Sequence, residues 1–198
     1  MSGHHKLVGK VAKDALKLLT DVTNTLKQNQ VQYCLEGGTL LGIVRENRLL
    51  PWDDDMDLTI TEAQIPKLEK TLKALPFKYR IRKRFYFTNH KAIKEGKLRL
   101  IRISNRKWFF FKGKVRMDIF IKYSDEEKYY WTVGSKKNFV VQCVPKHFHD
   151  QVEAINFNGE TMFAPNQYEN YLTLKYGDWK TPVKTWSSLV NDGSIQVQ

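Results

Sequence analysis

Four aspartates fall within five residues in Pro51-Trp52-Asp53-Asp54-Asp55-Met56-Asp57. Alternate side chains of an extended segment point the same way, so Asp53, Asp55 and Asp57 can share a face while Asp54 looks elsewhere. Carboxylates held that close repel one another. A hard divalent cation removes the penalty by taking their oxygens directly, and Mg²⁺ favours a few carboxylates together with substrate phosphates. A polar turn capping the next element is the plainer alternative. An EF-hand loop is excluded, because Leu58 stands where that loop needs glycine and Gln64 where it needs glutamate.

A further acid lies in Val115-Arg116-Met117-Asp118-Ile119-Phe120-Ile121, where an aspartate inside an apolar strand is costly unless paired or bound. Either Asp118 forms a salt bridge with Arg116 or another basic neighbour, or it joins the first cluster. If its strand lies beside the one carrying Asp57, the three carboxylates suit two metals about 3.5–4 Å apart and an in-line displacement at phosphorus. Ahead of the acids, Glu36-Gly37-Gly38-Thr39 reads as a tight turn opening a helix. Gly37 and Gly38 let backbone approach a ligand, the helix start offers free N–H groups to phosphate, and Thr39 can cap the helix or bind an oxygen. Neither the Walker A lysine pattern nor the dinucleotide glycine spacing is present.

Positioning these groups requires a run of alternating elements. Val8, Val11, Ala15, Leu19, Val22 and Leu26 predict an amphipathic helix ending near Gln30. A short strand follows over Val31 to Leu35, then the turn and a helical Leu40 to Arg45, then a connection from Asn47 to Trp52. Asp57 to Thr61 reads as a strand and Gln64 to Leu75 as a helix, with Pro66 in its first turn and Pro76 as its stop. Lys78–Phe87, Leu98–Ser104 and Lys114–Tyr123 are strand candidates, with a hairpin over Tyr129–Val133 and Phe139–Gln142. Asn166 to Tyr176 reads as a short helix stopping at Gly177, and the tail after Leu189 is expected to fray. The expectation is one α/β (α+β) domain over residues 1–198 with a mixed sheet flanked by helices.

The formal net charge of +12 favours an anionic partner without selecting one. Lys78, Arg80, Arg82, Lys83 and Arg84, interleaved with Tyr79, Phe85 and Tyr86, form a basic and aromatic strip. It suits nucleic acid, a lipid-linked diphosphate, an anionic membrane, or simply a solvated strand edge. Cys34 and Cys143 are too few for a disulfide framework, there is no bilayer-length apolar run, and the start does not read as a signal peptide. A cytoplasmic protein is expected, or one resting on the inner face of the membrane. Cys143, His147 and His149 lack a fourth zinc partner, and His4 and His5 carry no weight.

Glu36-Gly37-Gly38-Thr39-Leu40-Leu41-Gly42, then Arg45, then Leu50-Pro51-Trp52-Asp53-Asp54-Asp55-Met56-Asp57, resembles the signature of the LicD/fukutin family. Met117-Asp118-Ile119-Phe120 resembles its downstream acidic strand, and Tyr168-Glu169-Asn170-Tyr171-Leu172 with Tyr176-Gly177-Asp178-Trp179 its closing motif. The likeness runs from about residue 10 to about residue 185, weakest over Tyr79 to Lys114. It implies a nucleotidyltransferase (polymerase β-like) fold and transfer of a phospho-alcohol, phosphocholine or an alditol phosphate, from CDP-choline or a CDP-alditol to a glycan hydroxyl. The acceptor, lipid-linked or free, would belong to lipopolysaccharide, teichoic acid or capsule, and nucleic acid would not be a partner. By position Asp55, Asp57 and Asp118 would hold Mg²⁺ or Mn²⁺, and Asp53 would be a further catalytic acid. Gly37, Gly38 and Thr39 would sit by the diphosphate, and Arg45 would either neutralise phosphate or face solvent.

In that chemistry the acceptor hydroxyl attacks the phosphorus bearing the alcohol and CMP leaves, with Asp118 or Glu36 accepting the proton. Two rivals remain. A nucleotidyltransferase would use the same carboxylates on the other phosphorus and release pyrophosphate from a triphosphate; a non-catalytic module would bind anionic surfaces through the basic strip.

Overall fold

The structure, a computed structural model, describes residues 6–107, 111–183 and 185–196. His4 and His5 lie outside the described residues. Val8 precedes the first helix, α1 (Gly9–Gln28), and is exposed, whereas the helix buries Ala15, Leu19, Val22 and Leu26 of the expected stripe, with Leu18 beside them, all at most 1% exposed. Each such Leu or Val contributes about 1.5–3 kcal/mol by leaving water. The strand expected over Val31 to Leu35 is β1 (Cys34–Glu36), and the glycine turn is the first turn of α2 (Gly37–Glu46), which follows without a break.

The acidic segment feeds β2 (Met56–Thr61), and a turn of 3-10 helix leads into α3 (Ile65–Thr71). The single helix expected over Gln64 to Leu75 is thus shorter, flanked by 3-10 turns, with Pro66 in its first turn. Three long strands follow: β3 (Tyr79–Phe85), β4 (Leu98–Lys107) and β5 (Phe111–Ser124). The hairpin of β6 (Lys128–Ser135) and β7 (Asn138–Pro145) extends from the end of β5. The main path of the sheet runs β1-β2-β5-β4-β3, and β2 and β5 are its parallel pair among antiparallel neighbours. This is the mixed α/β arrangement expected.

Strand alternation separates two faces. Met117, Ile119 and Ile121 of β5 are fully buried on the side where α1 packs. On that same side, Tyr79 of β3 donates to Asp21 of α1 at 2.6 Å, and Lys83 pairs with Glu69 of α3. Arg116, Asp118, Phe120 and Lys122 point to the opposite face, which carries the chemistry.

A short helix, α4 (His147–Asp150), then leads to the hairpin of β8 (Val152–Phe157) and β9 (Glu160–Pro165), which the sequence reading left unassigned. Its turn signal is Asn158-Gly159, both with positive φ (52° and 79°), the backbone of a tight two-residue hairpin. The last helix is α5 (Tyr168–Tyr176), stopped by Gly177 at φ 67°.

The frayed tail expected after Leu189 is corrected. Asp192 and Ser194 are buried, Cys143 N donates to Ser194 O at 2.8 Å, and Gln196 N donates to Val141 O at 2.9 Å. The free backbone groups of β7 and a buried cation on α5 hold the chain end down.

Candidate active site

Sheet register assembles the acids. Asp57 lies opposite Glu36 on β1 and opposite Asp118 on β5, and Asp118 in turn faces Arg102 on β4. One ligand oxygen each from Asp55, Asp57 and Asp118 falls within 4.8 Å of the others, and the same holds for Asp53, Asp54 and Asp55. Asp54, expected to look elsewhere, therefore belongs to the cluster, because residues 53–55 precede β2 and do not alternate as a strand does.

The glycine turn packs directly on these acids. Gly37 has φ +56°, and a Cβ there would come within 2.9 Å of an Asp57 carboxylate oxygen; a Cβ on Gly38 would run into the Asp53 carboxylate. Thr39 corrects its expected place by the diphosphate. It is buried, and its hydroxyl accepts the Asp57 N–H at 2.8 Å, so it pins the acidic strand to α2. The helix is capped instead by Glu36, whose carboxylate accepts the Gly37 N–H.

Asp118 is both paired and part of the cluster, so both expected readings of it apply. Its partner is Arg102, which donates two bonds of 2.7 and 2.6 Å, whereas Arg116 turns to Asp55, with Nε at 3.0 Å from Oδ2. Two guanidinium groups face five aspartates, and the imbalance shows in their acidity. Burial, then the Asp55 charge, pushes the Asp53 carboxyl up to about 7. Burial also raises Asp55 against the pull of Arg116, and it raises Asp57 well above the ordinary carboxylate range with Asp55 and Asp118 adding to it. One Asp54 oxygen is buried with no hydrogen-bond partner among the described residues. A convergent oxygen set with surplus negative charge and an orphaned acceptor fits a hard divalent cation.

Beside the acids lies a buried ionic network that the sequence reading missed. Lys122 is fully buried and donates to Glu36 at 2.6 Å and to Tyr171 at 2.9 Å, with His149 Nε2 at 2.7 Å. Lys175 of α5 reaches Glu36 at 3.0 Å and Asp192 at 3.2 Å. Burial alone would raise Glu36, but Lys122 and Lys175 hold it far below its usual value. Burial draws the Lys122 ammonium down to about 8 despite Glu36. Glu36 is thus a fixed anion, which removes it as proton acceptor. The signal was available: Lys122 stands four residues after Asp118 in the same apolar strand and invites the same question.

Glu36, Lys175 and Asp192 of this network line a cavity of about 500 Å³. Gly37, Gly38, Asp53, Asp54, Asp55 and Asp57 form its acidic end, and Arg45 lines it while donating to the Trp179 carbonyl at 3.2 Å. Arg45 is therefore a wall residue and not a solvent-facing one. Trp52, Trp131, Tyr176, Trp179 and Trp186 supply aromatic walls. Trp131 and Trp186 were not legible as site residues, since they come from a hairpin and a terminal segment without a motif. Of the three residues weighed for zinc, Cys143 sits on β7, and His149 faces Lys122.

A family model described as LicD/FKTN/FKRP, nucleotidyltransferase domain matches residues 30–167. The chain belongs to this family. An uncharacterized protein of Rickettsia prowazekii is 24% identical over 88% of this chain and 58% of its own length. Human "Ribitol 5-phosphate transferase FKRP" is 27% identical over 79% of this chain and 30% of its own length. "Ribitol-5-phosphate transferase FKTN" of Macaca fascicularis is 30% identical over 88% of this chain and 35% of its own length. The chain thus spans about a third of the transferases it matches. Among solved structures, ANT(2")-Ia in complex with adenylyl-2"-tobramycin aligns with TM-score 0.45 and 14% identity over 87% of this chain and 80% of that one. As a LicD/FKTN/FKRP domain the chain has the nucleotidyltransferase fold, and Gly37, Gly38, Asp53, Asp55 and Asp57 of its motifs line the cavity's acidic end. No helix among the described residues is long and apolar enough to cross a membrane.

Proposed function

We propose that this chain transfers a phospho-alcohol, phosphocholine or an alditol phosphate, from a CDP-linked donor to a glycan hydroxyl and releases CMP. The observation that carries this reading is the convergence of Asp55, Asp57 and Asp118 within 4.8 Å of one another, with Asp55 and Asp57 lining one end of a cavity of about 500 Å³. That volume lies in the range of pockets that enclose a nucleotide-sized ligand.

The acceptor oxygen forms a bond to the phosphorus bearing the alcohol, and the bond from that phosphorus to the bridging oxygen breaks, its electron pair leaving with CMP. The proton lost by the hydroxyl passes to the acidic cluster; of the two expected acceptors, Glu36 is held by two lysines and Asp118 by Arg102. Asp55, Asp57 and Asp118 would hold Mg²⁺ or Mn²⁺, which when bound supplies charge neutralisation at the diphosphate. In the first turn of α2 the Gly37 N–H is taken by Glu36, and the Gly38 N–H is the one that would meet a phosphate oxygen. Arg45, fixed between Glu46 and the Trp179 carbonyl, places a cation on the wall. Trp179 and Trp186 offer flat surfaces for a base or the alcohol.

The test is CMP release from CDP-choline and from a CDP-alditol with Mg²⁺ in excess. Asp55→Asn and Asp57→Asn are expected to lower turnover by on the order of 10²–10³-fold, the loss seen when one electrostatic stabiliser of a transition state is removed. Unimpaired turnover in both variants, or pyrophosphate released from a nucleoside triphosphate in place of CMP, overturns the reading.

A further inference from the structure

Glu36 has more partners than its two oxygens need. Oε2 accepts Lys122 at 2.6 Å, the Tyr171 hydroxyl lies 2.8 Å from both oxygens, and Oε1 accepts the Gly37 N–H at 3.1 Å. These donors already satisfy the carboxylate. Lys175 adds another, 3.0 Å from Oε1, the same oxygen that caps α2. This second ammonium is itself buried, and it arrives with an anion of its own, Asp192 from the chain end. Asp192 uses Oδ1 on Ser194, and its Oδ2 stands 3.2 Å from Lys175 without an aligned hydrogen bond. Charge therefore joins this pair. Burying one more ion pair is costly, so hydrogen-bond satisfaction does not account for Lys175. Its place in the contacts does: they run Gly37, Glu36, Lys175, Asp192, with the cation next to the capping carboxylate and its anion beyond.

We infer that Lys175 is a positioning residue that cancels the charge of the oxygen capping α2, so that the glycine turn keeps its attraction for the donor's diphosphate. This role rests on the transfer reading above and concerns how its phosphate subsite keeps its field. A helix start attracts anions through its dipole and its free N–H groups. A carboxylate cap stabilises the helix but opposes a second anion at the same place. Glu36 is that carboxylate, and it stands opposite Asp57 in the β1–β2 ladder, so its charge also reaches the acids proposed to hold the cation. Lys122 answers Oε2 and Lys175 answers Oε1. Glu36, Gly37, Gly38, Lys175 and Asp192 all line the cavity, so the whole run of contacts borders the space where a diphosphate would lie. Charge and scaffolding then differ in sign. Losing the ammonium leaves the cavity more negative, which repels a diphosphate and attracts a divalent cation, whereas a loosened scaffold weakens both.

The experiment compares the full chain with Lys175→Met, which keeps the length of the side chain and removes its charge. Mn²⁺ binding is measured alone, and CDP binding at saturating Mg²⁺. In Lys175→Met, CDP is expected to bind roughly three- to tenfold more weakly and Mn²⁺ more tightly by a similar factor, the size of one unit charge acting across several ångströms of partly hydrated protein. Glu36→Gln should shift both in the opposite directions. Combining Glu36→Gln with Lys175→Met should return both to within about twofold of the unaltered chain, because the two groups act as one pair. If Lys175→Met does not fold, Lys175→Met with Asp192→Asn removes both members of the ion pair and is expected to show the same two signs. Shifts of Mn²⁺ and CDP in the same direction, or no shift in either, make Lys175 a scaffold residue and overturn the inference. So does a Glu36→Gln, Lys175→Met variant in which CDP stays weak, since the ammonium would then meet the phosphate directly, or an unaltered chain that binds no CDP. Absence of CMP release from every donor, with both signs as expected, defeats the transfer reading instead and leaves the role of Lys175 standing.

Discussion

Gly38 and the Asp53 carboxylate occupy neighbouring space that leaves no room for a methyl group between them. Gly38→Ala is therefore expected to displace Asp53 while leaving α2 intact. Turnover should fall roughly 10–100-fold, since a shift of about 1 Å in a reacting group costs that much. Urea denaturation should move by less than about 1 kcal/mol, alanine being the better helix former. Full activity in this variant would detach Asp53 from the chemistry. At this scale the sequence was most informative: Asp55, Asp57 and Asp118 were legible because like charges in one short segment, and a lone acid in an apolar strand, each demand a partner. Thr39 was misplaced, because a hydroxyl at a helix start serves a ligand or a neighbouring backbone N–H equally well, and here the Asp57 N–H takes it.

Among the elements, β5 joins two sites in one strand: Asp118 serves the acid cluster, and Lys122, on the same face, serves the buried network. His149 of α4 is part of that network, faced by Lys122, Glu36, Tyr129 and Tyr171. Burial and then the Lys122 charge hold its imidazole neutral to well below the usual pH. The unfolded chain takes up this proton near pH 6.5, whereas the native chain does not, so stability is lost as pH falls below about 6.5. Between about pH 7.5 and 5.5 the unaltered protein should lose about 1.4 kcal/mol more than His149→Gln in urea denaturation. Equal losses would mean that the native imidazole charges freely. Helix α1 and the central strands were legible from periodicity. The β8–β9 hairpin was not, although Asn158-Gly159 is a strong turn signal, because Glu153 to Asn156 mixes polar and apolar residues without a clean apolar face.

For the whole molecule, the net charge of +12 proved less informative than its distribution. On β3, strand parity sends Lys83 toward the helices and Arg80, Arg82 and Arg84 to the face of the carboxylates, and composition cannot reveal which. The chain end was likewise illegible: Asp192 and Ser194 look like an ordinary polar tail, yet Asp192 is the second anion of the cavity-lining Lys175. Removing residues 190–198 should cost about 3 kcal/mol or more, as expected when a buried ion pair loses one member. It should also weaken nucleotide binding at the cavity. Wild-type hydrogen exchange should find the Cys143 amide protected, since it donates to Ser194; rapid exchange there would restore the picture of a loose end.

The pairing of β2 with β5 bears on how the molecule acquires its site at all. Asp57 and Asp118 stand directly opposite each other in a parallel ladder, and parallel partners always come from distant parts of a chain. Bringing such partners together costs loop-closure entropy before the contact rewards it. A fragment that lacks either strand therefore cannot bring Asp118 to Asp55 and Asp57. Pairing β2 with β5 brings negative charge onto negative charge, and Arg116 of β5 and Arg102 of the neighbouring β4 make that closure tolerable.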